Sequence, residues 1–201
     1  MANLFIQSAV NTFSAAVVEG NSAAANADSL VYEVMAAPYT ACSTFISQNY
    51  GAHNKERIQK AYRVSLVYSF GVGAVLGLAL MFFGGGFLRI FTPDPEVIAA
   101  GMEKLHIMGW SYAFSAFMDN SLAASRGLGK SAVPVAVVIL GSCVFRVIWV
   151  YTIFAMFHTL TSLYLLYIFS WALTAIVQMV YFFRAFRKQT AAWKTPQAAG
   201  A

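Results

Sequence analysis

Three ionisable side chains, Glu33, Asp119 and Arg146, fall inside long apolar runs of this sequence. A charge among apolar neighbours is costly and normally faces a partner or a wet cavity. Two kinds of chemistry follow. An acid and a guanidinium that meet make a fixed ion pair between helices. A carboxylate left unpaired takes up a proton or a metal cation and releases it when the helices rearrange. Helical rise, about 1.5 Å per residue, puts Arg146 near mid-membrane, Asp119 roughly 6 Å to its inner side and Glu33 roughly 7 Å to its outer side of the midplane. Arg146 can therefore serve as charge partner to either acid. Asp119 is the first candidate for a coupling-ion site and Glu33 the second. Uncharged polar residues recur in the same runs: Gln7 and Asn11 one helical turn apart, Asn120 and Ser121 directly after Asp119, and Gln178 near the C-terminus. Interhelical hydrogen bonds account for most such residues, and a cluster of them around a cavity would line a substrate route.

The elements that carry these residues are membrane helices. Of the 201 residues, 59% are hydrophobic and only 10% charged, against roughly 25% charged in soluble domains. Six apolar segments are expected, at about 4–18, 29–47, 61–83, 105–125, 132–157 and 160–183, each near the ~20 residues that cross a bilayer. Residues 1–184 then form one six-helix bundle and 185–201 a polar tail. Glu19–Asp28 reads as a polar connection, Thr92-Pro93-Asp94-Pro95-Glu96 as a turn and helix start. Basic residues alternate between connections. Ten follow the second, fourth and sixth segments, from Lys55 to Lys194, whereas only Arg89 and Lys104 lie in the opposite connections. Excess Lys and Arg marks the cytoplasmic side, so both termini are expected there.

The same clusters explain the net charge of +5 without a nucleic-acid partner. Cys42 and Cys143 sit inside apolar runs and read as thiols packed among helices rather than a disulfide. Residues 124–131, ending Gly127-Leu128-Gly129-Lys130-Ser131, imitate a phosphate-binding loop, but Ala124 stands where its first glycine belongs and no strand precedes it. Gly73 and Gly77, one turn apart in the third segment, are spaced for close helix packing. His53, His106 and His158 share no metal-ligand spacing, and no nucleophile–base set assembles, so neither an enzyme nor a cofactor is expected.

Ser47-Gln48-Asn49-Tyr50-Gly51-Ala52, followed by Asn54, Glu56-Arg57-Ile58 and Lys60, resembles a motif of the multidrug and toxic compound extrusion (MATE) family, in which a Gln-x-x-Gly-Ala segment closes the second helix of each half and a basic loop follows. Arg126-Gly127-Leu128-Gly129 with Pro134 resembles the family's Arg-Gly turn and the next helix start. Phe145 to Tyr151, and Leu163-Tyr164 through Ser170-Trp171, resemble one bacterial branch. The likeness runs from about Gln7 to Arg184.

The resemblance implies an all-α membrane protein, a six-helix bundle equal to the C-terminal half of a twelve-helix transporter, whose missing N-terminal half is a partner along with the lipid bilayer. It implies export of organic cations or amphipathic compounds across a cell membrane, the bacterial inner membrane being expected, in exchange for protons or sodium ions. It also implies an acid eleven residues before the Arg-Gly turn. This chain has Ser115 there, a substrate-cavity candidate with Gln7, Asn11, Asn120 and Gln178, while Asp119 follows one turn later. Two rival readings make different demands. A lipid-linked precursor flippase of the same superfamily needs a strongly cationic cavity. A non-transporting membrane scaffold needs Glu33, Asp119 and Arg146 fully paired and no cavity.

Overall fold

The structure, a computed structural model, describes residues 2–193. Six helical rods follow one another: α1 (Ala2–Val10), α2 (Ala15–Gly51), α3 (Lys55–Leu88), the pair α4 (Pro95–Met108) and α5 (Ser111–Gly127), the composite α6 (Ala132–Ile139), α7 (Phe145–Trp149) and α8 (Ala155–Phe157), and α9 (Leu160–Thr190). Two π-helical turns, Leu140–Val144 and Val150–Phe154, join α6 to α7 and α7 to α8. No strand occurs among the described residues.

Local chemistry sets most rod ends. The Asn54 side chain accepts from Arg57 N at 3.0 Å and starts α3. Asp94 accepts from Glu96 N at 2.8 Å, with Pro95 in the first turn of α4, the position where a missing N–H costs nothing. Thr159 accepts from Ser162 N and starts α9. His158, in the left-handed region at φ 46°, ends the rod before it.

The expected connection at Glu19–Asp28 does not exist. The chain breaks earlier, at Asn11–Ser14, and α2 runs unbroken for 37 residues. The reason is a small-residue face at helical spacing. Gly20, Ala23, Ala24 and Ala27 are buried, and a Cβ on Gly20 would lie 2.6 Å from Val97 O and 2.7 Å from Gly101 N of α4. The polar letters of this stretch are thus one side of a packed helix. The fourth expected segment, 105–125, is likewise a longer rod, 95–127, interrupted at Gly109–Trp110. The tail expected from residue 185 begins later, since α9 continues to Thr190 with Phe186 and Thr190 buried. Lys194 and the rest of that tail lie outside the described residues.

Gly73 and Gly77 carry the crossing of α3 over this interrupted rod. A Cβ on Gly73 would sit 3.1 Å from Ala113 Cα, and one on Gly77 would collide with the carbonyl of Gly109. Around that crossing Val31, Met35, Met108, Tyr112, Tyr164 and Trp171 form the central core. Among the described residues three helices, Lys55–Leu88, Ala132–Phe157 and Leu160–Thr190, are long and apolar enough by themselves to cross a membrane. Their outward faces are apolar, with Val67, Phe82 and Ile176 exposed, as lipid contact requires. The helix α2 is long enough but carries Asn21, Asp28 and Glu33, and α4 and α5 are each short.

Candidate functional site

The polar faces of α1, α2, α4 and α7 meet at one cavity of about 570 Å³, lined among others by Gln7, Asn21, Asp28, Tyr32, Glu33, Lys104, Arg146, Tyr167 and Trp171. Its centre is an ion pair. Lys104 Nζ lies 2.8 Å from Asp28 Oδ2. Tyr112 donates its hydroxyl to Asp28 Oδ1. Lys104 also reaches the carbonyl of Asn21 at 3.5 Å, and Asn21 Nδ2 donates to Gln7 Oε1 at 3.4 Å. Lys104 is 4% exposed. A lysine so deep is tolerated because its charge is balanced. The geometry has a further property. Lys104 is on α4 and Tyr112 on α5, on either side of the Gly109–Trp110 interruption, and both hold the same carboxylate of α2. Asp28 therefore holds residues on both sides of the junction between α4 and α5.

Arg146 forms the opposite wall. Its Nε donates to Ser170 Oγ at 3.0 Å, and its guanidinium carbon stands 4.5 Å above the Tyr167 ring. Neither Asp119 nor Glu33 is its partner. The only ion pair among the described residues is the one between Lys104 and Asp28, because Ser170 and Tyr167 hold Arg146 on the α9 side. The two π-helical turns lie directly before and after the five residues that carry it.

The other sequence-selected residues separate into three groups. Gln7 and Glu33 line the cavity, Glu33 as an exposed side chain. Asn11 accepts from Gln7 Nε2 at 3.1 Å at the exposed end of α1. Ser115, Asn120 and Gln178 are fully buried and do not line the cavity; Asn120 and Gln178 fasten neighbouring helices, whereas Ser115 bonds within its own helix. Ser115 donates to Tyr112 O at 2.8 Å. Asn120 donates to Tyr62 O at 3.1 Å and accepts from Ser65 at 2.6 Å, while Gln178 Nε2 donates to Pro134 O at 2.7 Å. Asp119 is apart from the cavity too, and its Oδ2 is buried with no hydrogen-bond partner.

Sequence reasoning missed Asp28, Lys104 and Asn21 because all three fell in stretches read as connections. One signal was available: the small or apolar residues Gly20, Ala23, Ala24, Ala27 and Val31 recur at i, i+3, i+4, i+7 and i+11, the period of a helix face. That period places Asn21 and Asp28, seven residues apart, on a common side.

Comparison with known proteins agrees with this architecture. The family described as MatE matches residues 1–152. A probable multidrug resistance protein NorM of Thermotoga maritima is 25% identical over 118 residues, 59% of this chain and 25% of that protein. A probable multidrug resistance protein YpnP of Bacillus subtilis is 27% identical over 124 residues, 61% of this chain and 28% of that protein. The chain thus matches about a quarter of the length of these curated relatives. Among solved structures, an outward-facing multidrug resistance MATE transporter of the MOP superfamily superposes with TM-score 0.84 at 18% identity, over 95% of this chain and 43% of its own. A MOP superfamily transporter from Pyrococcus furiosus, whose binding pocket is described as having reversed polarity, superposes with TM-score 0.85 at 19% identity, over 96% of this chain and 43% of its own. These structures share the all-α fold of the bundle, and the match over residues 1–152 shows that the chain belongs to the MatE family.

Proposed function

We propose that the chain forms one half of a cation-coupled antiporter that uses protons or sodium ions to export organic or amphipathic compounds across a cell membrane. The location would be a bacterial inner membrane, with both termini on the cytoplasmic side. A second six-helix bundle supplies the facing wall. Support for a half comes from the solved transporters, of which the chain matches 43%. Support for the mechanism comes from one observation: a partly buried carboxylate at the cavity wall clasped by Lys104 and Tyr112, which stand on either side of the junction between α4 and α5.

A proton or sodium ion that binds Asp28 cancels its charge and releases Lys104. The link between α2, α4 and α5 then weakens, and the two short helices are free to reorient about Gly109–Trp110. Coupling thus acts at the junction of α4 and α5, beside the cavity, and alternating access is movement about such a central site. Asp119, buried with an unpartnered oxygen, is a second carboxylate for the ion route, and Glu33 marks the exposed rim.

The scaffold reading demanded paired charges and no cavity. Arg146 without a carboxylate and a cavity of about 570 Å³ weigh against it. Lys104 adds a second buried cation, which the flippase reading needs, but Asp28 already neutralises it.

The test is export of ethidium and of 1-naphthoate from proteoliposomes under an imposed proton or sodium gradient, movement of either counting as export. The full-length protein carrying this chain should export, the Asp28→Asn variant should lose gradient-driven export, and the 201-residue chain alone should export nothing. Robust export by the chain alone, as a monomer, would overturn the assignment as a half.

A further inference from the structure

Arg146 is 8% exposed and lines the cavity. Ser170 takes its Nε proton and Tyr167 covers one face of the guanidinium. These contacts fix the plane of the group. They leave both Nη nitrogens, with the four remaining N–H donors of the fork, without an acceptor among the described residues. No carboxylate pairs with it. Asp28 is already held by Lys104 and Tyr112, and Glu33 stands exposed at the rim. A guanidinium this deep is normally neutralised by a partner, and this one presents its free edge to a cavity.

The backbone is also unusual at this point. The rod 132–157 departs from α-helical geometry only at two π-helical turns, and these bracket the Phe145–Trp149 segment. Such turns widen and rotate a helix locally and recur at functional sites. Here they set the direction in which the segment carrying Arg146 faces.

We propose that the cavity takes an amphipathic aromatic carboxylate and that Arg146 is its anion-binding residue. The inference rests on the transport reading above and gives it a substrate class. A planar carboxylate matches the free Nη edge with two parallel charge-assisted hydrogen bonds. Tyr32, Tyr167 and Trp171, with Met108 and Met118, offer aromatic and apolar wall for the body of the molecule. The cavity volume, about 570 Å³, is in the range of small-molecule sites.

Equilibrium dialysis of the purified full chain in a neutral detergent, against 1-naphthoate and against 1-naphthylmethylammonium, reads the sign of the site directly. The carboxylate should bind saturably and at least about tenfold more tightly than the ammonium, as a charge-assisted pair implies. Arg146→Gln, which keeps a donor for Ser170, should erase that preference, and Arg146→Lys, which keeps charge without the fork, should retain part of it. Tighter binding of the ammonium by the unmodified chain overturns the carboxylate assignment, leaves the transport reading standing, and needs no variant to fold. Saturable binding of neither probe likewise overturns the carboxylate assignment, while the transport reading stands or falls on the export assay. Displacement of 1-naphthoate by phosphatidylglycerol but not by phosphatidylcholine at equal concentration assigns Arg146 to a lipid phosphate and overturns the substrate class.

Discussion

Lys104 holds Asp28 at 2.8 Å between α4 and α2, two helices that approach closely through Gly20 of one and Ala100 and Gly101 of the other. The small residues bring the backbones of α2 and α4 together, and Lys104 is buried beside the cavity with Asp28 as its counter-charge. Removing one partner of such a pair strands the other charge and costs roughly 3–5 kcal/mol. Lys104→Met should therefore lower the unfolding temperature of the detergent-solubilised protein sharply. Asp28→Leu combined with Lys104→Met should recover most of that loss, since neither charge is then stranded. A double variant as unstable as the two single losses added together would mean that the residues do not act as a pair.

Gly77 gives a second test, one of packing alone. A Cβ at Gly77 would overlap the Gly109 carbonyl, a backbone atom that cannot swing away, whereas a Cβ at Gly71 on the same helix meets nothing within 4 Å. Gly77→Ala should destabilise the bundle by about 1–3 kcal/mol or more through overpacking. Gly71→Ala should be neutral or slightly stabilising, because alanine favours helix. Thermal unfolding of the two variants side by side decides it, and equal behaviour would remove Gly77 from the crossing.

These two relationships were unequally legible in the sequence. Gly73 and Gly77 stand one turn apart inside an apolar run, so a local pattern reveals a packing face. The Asp94-Pro95 start of α4 and the Pro134 start of the fifth rod are local signals too, and both mark helix starts in the structure. The helical period of the small residues puts Asp28 on one side with Asn21, but nothing local marks Asp28 and Lys104 as a pair. Each reads as an ordinary charge in a polar stretch, and only the tertiary approach of α2 to α4 makes them a pair. Arg146 shows the reverse case. Its position within an apolar run marks it as exceptional, yet its partners, Ser170 and Tyr167, are common residues that spacing does not single out. The π-helical turns beside it are equally silent, since five residues are too few for the wider π turn to show in the hydrophobic pattern.

Topology can be checked by labelling. The alternation of basic connections predicts that the start of α3 faces the cytoplasm and the start of α4 the outside. Cysteine introduced at Lys55 should react with a membrane-impermeant maleimide only from the cytoplasmic side, and cysteine at Glu96 only from the external side. Cys42 is buried and Cys143 partly buried, so both should be replaced by alanine first. Labelling of both introduced positions from one side would end the six-pass arrangement.

Asp119 offers the sharpest separation between a coupling residue and a structural one. A carboxyl oxygen buried without a hydrogen-bond partner is costly, and Asp119 Oδ2 is such an atom. Its neighbours on α5 do the fastening instead: Asn120 and Ser121 tie that helix to Tyr62 and Ser65 of α3. A purely structural aspartate would show the opposite pattern, with its oxygens satisfied and its loss destabilising. Asp119→Asn keeps the shape and removes the charge. In the full-length transporter it should leave membrane level and unfolding temperature within about 0.5 kcal/mol of the parent, as expected where no partner is lost. Gradient-driven export should fall to background in the same preparation. Arg146→Met should not rescue it, because Arg146 is bound to Ser170 and Tyr167 and not to Asp119. Should Asp119→Asn instead fail to accumulate in the membrane, with Arg146→Met restoring it, the two residues are partners in another state of the protein and Asp119 is a structural ion-pair member, not a site of ion uptake.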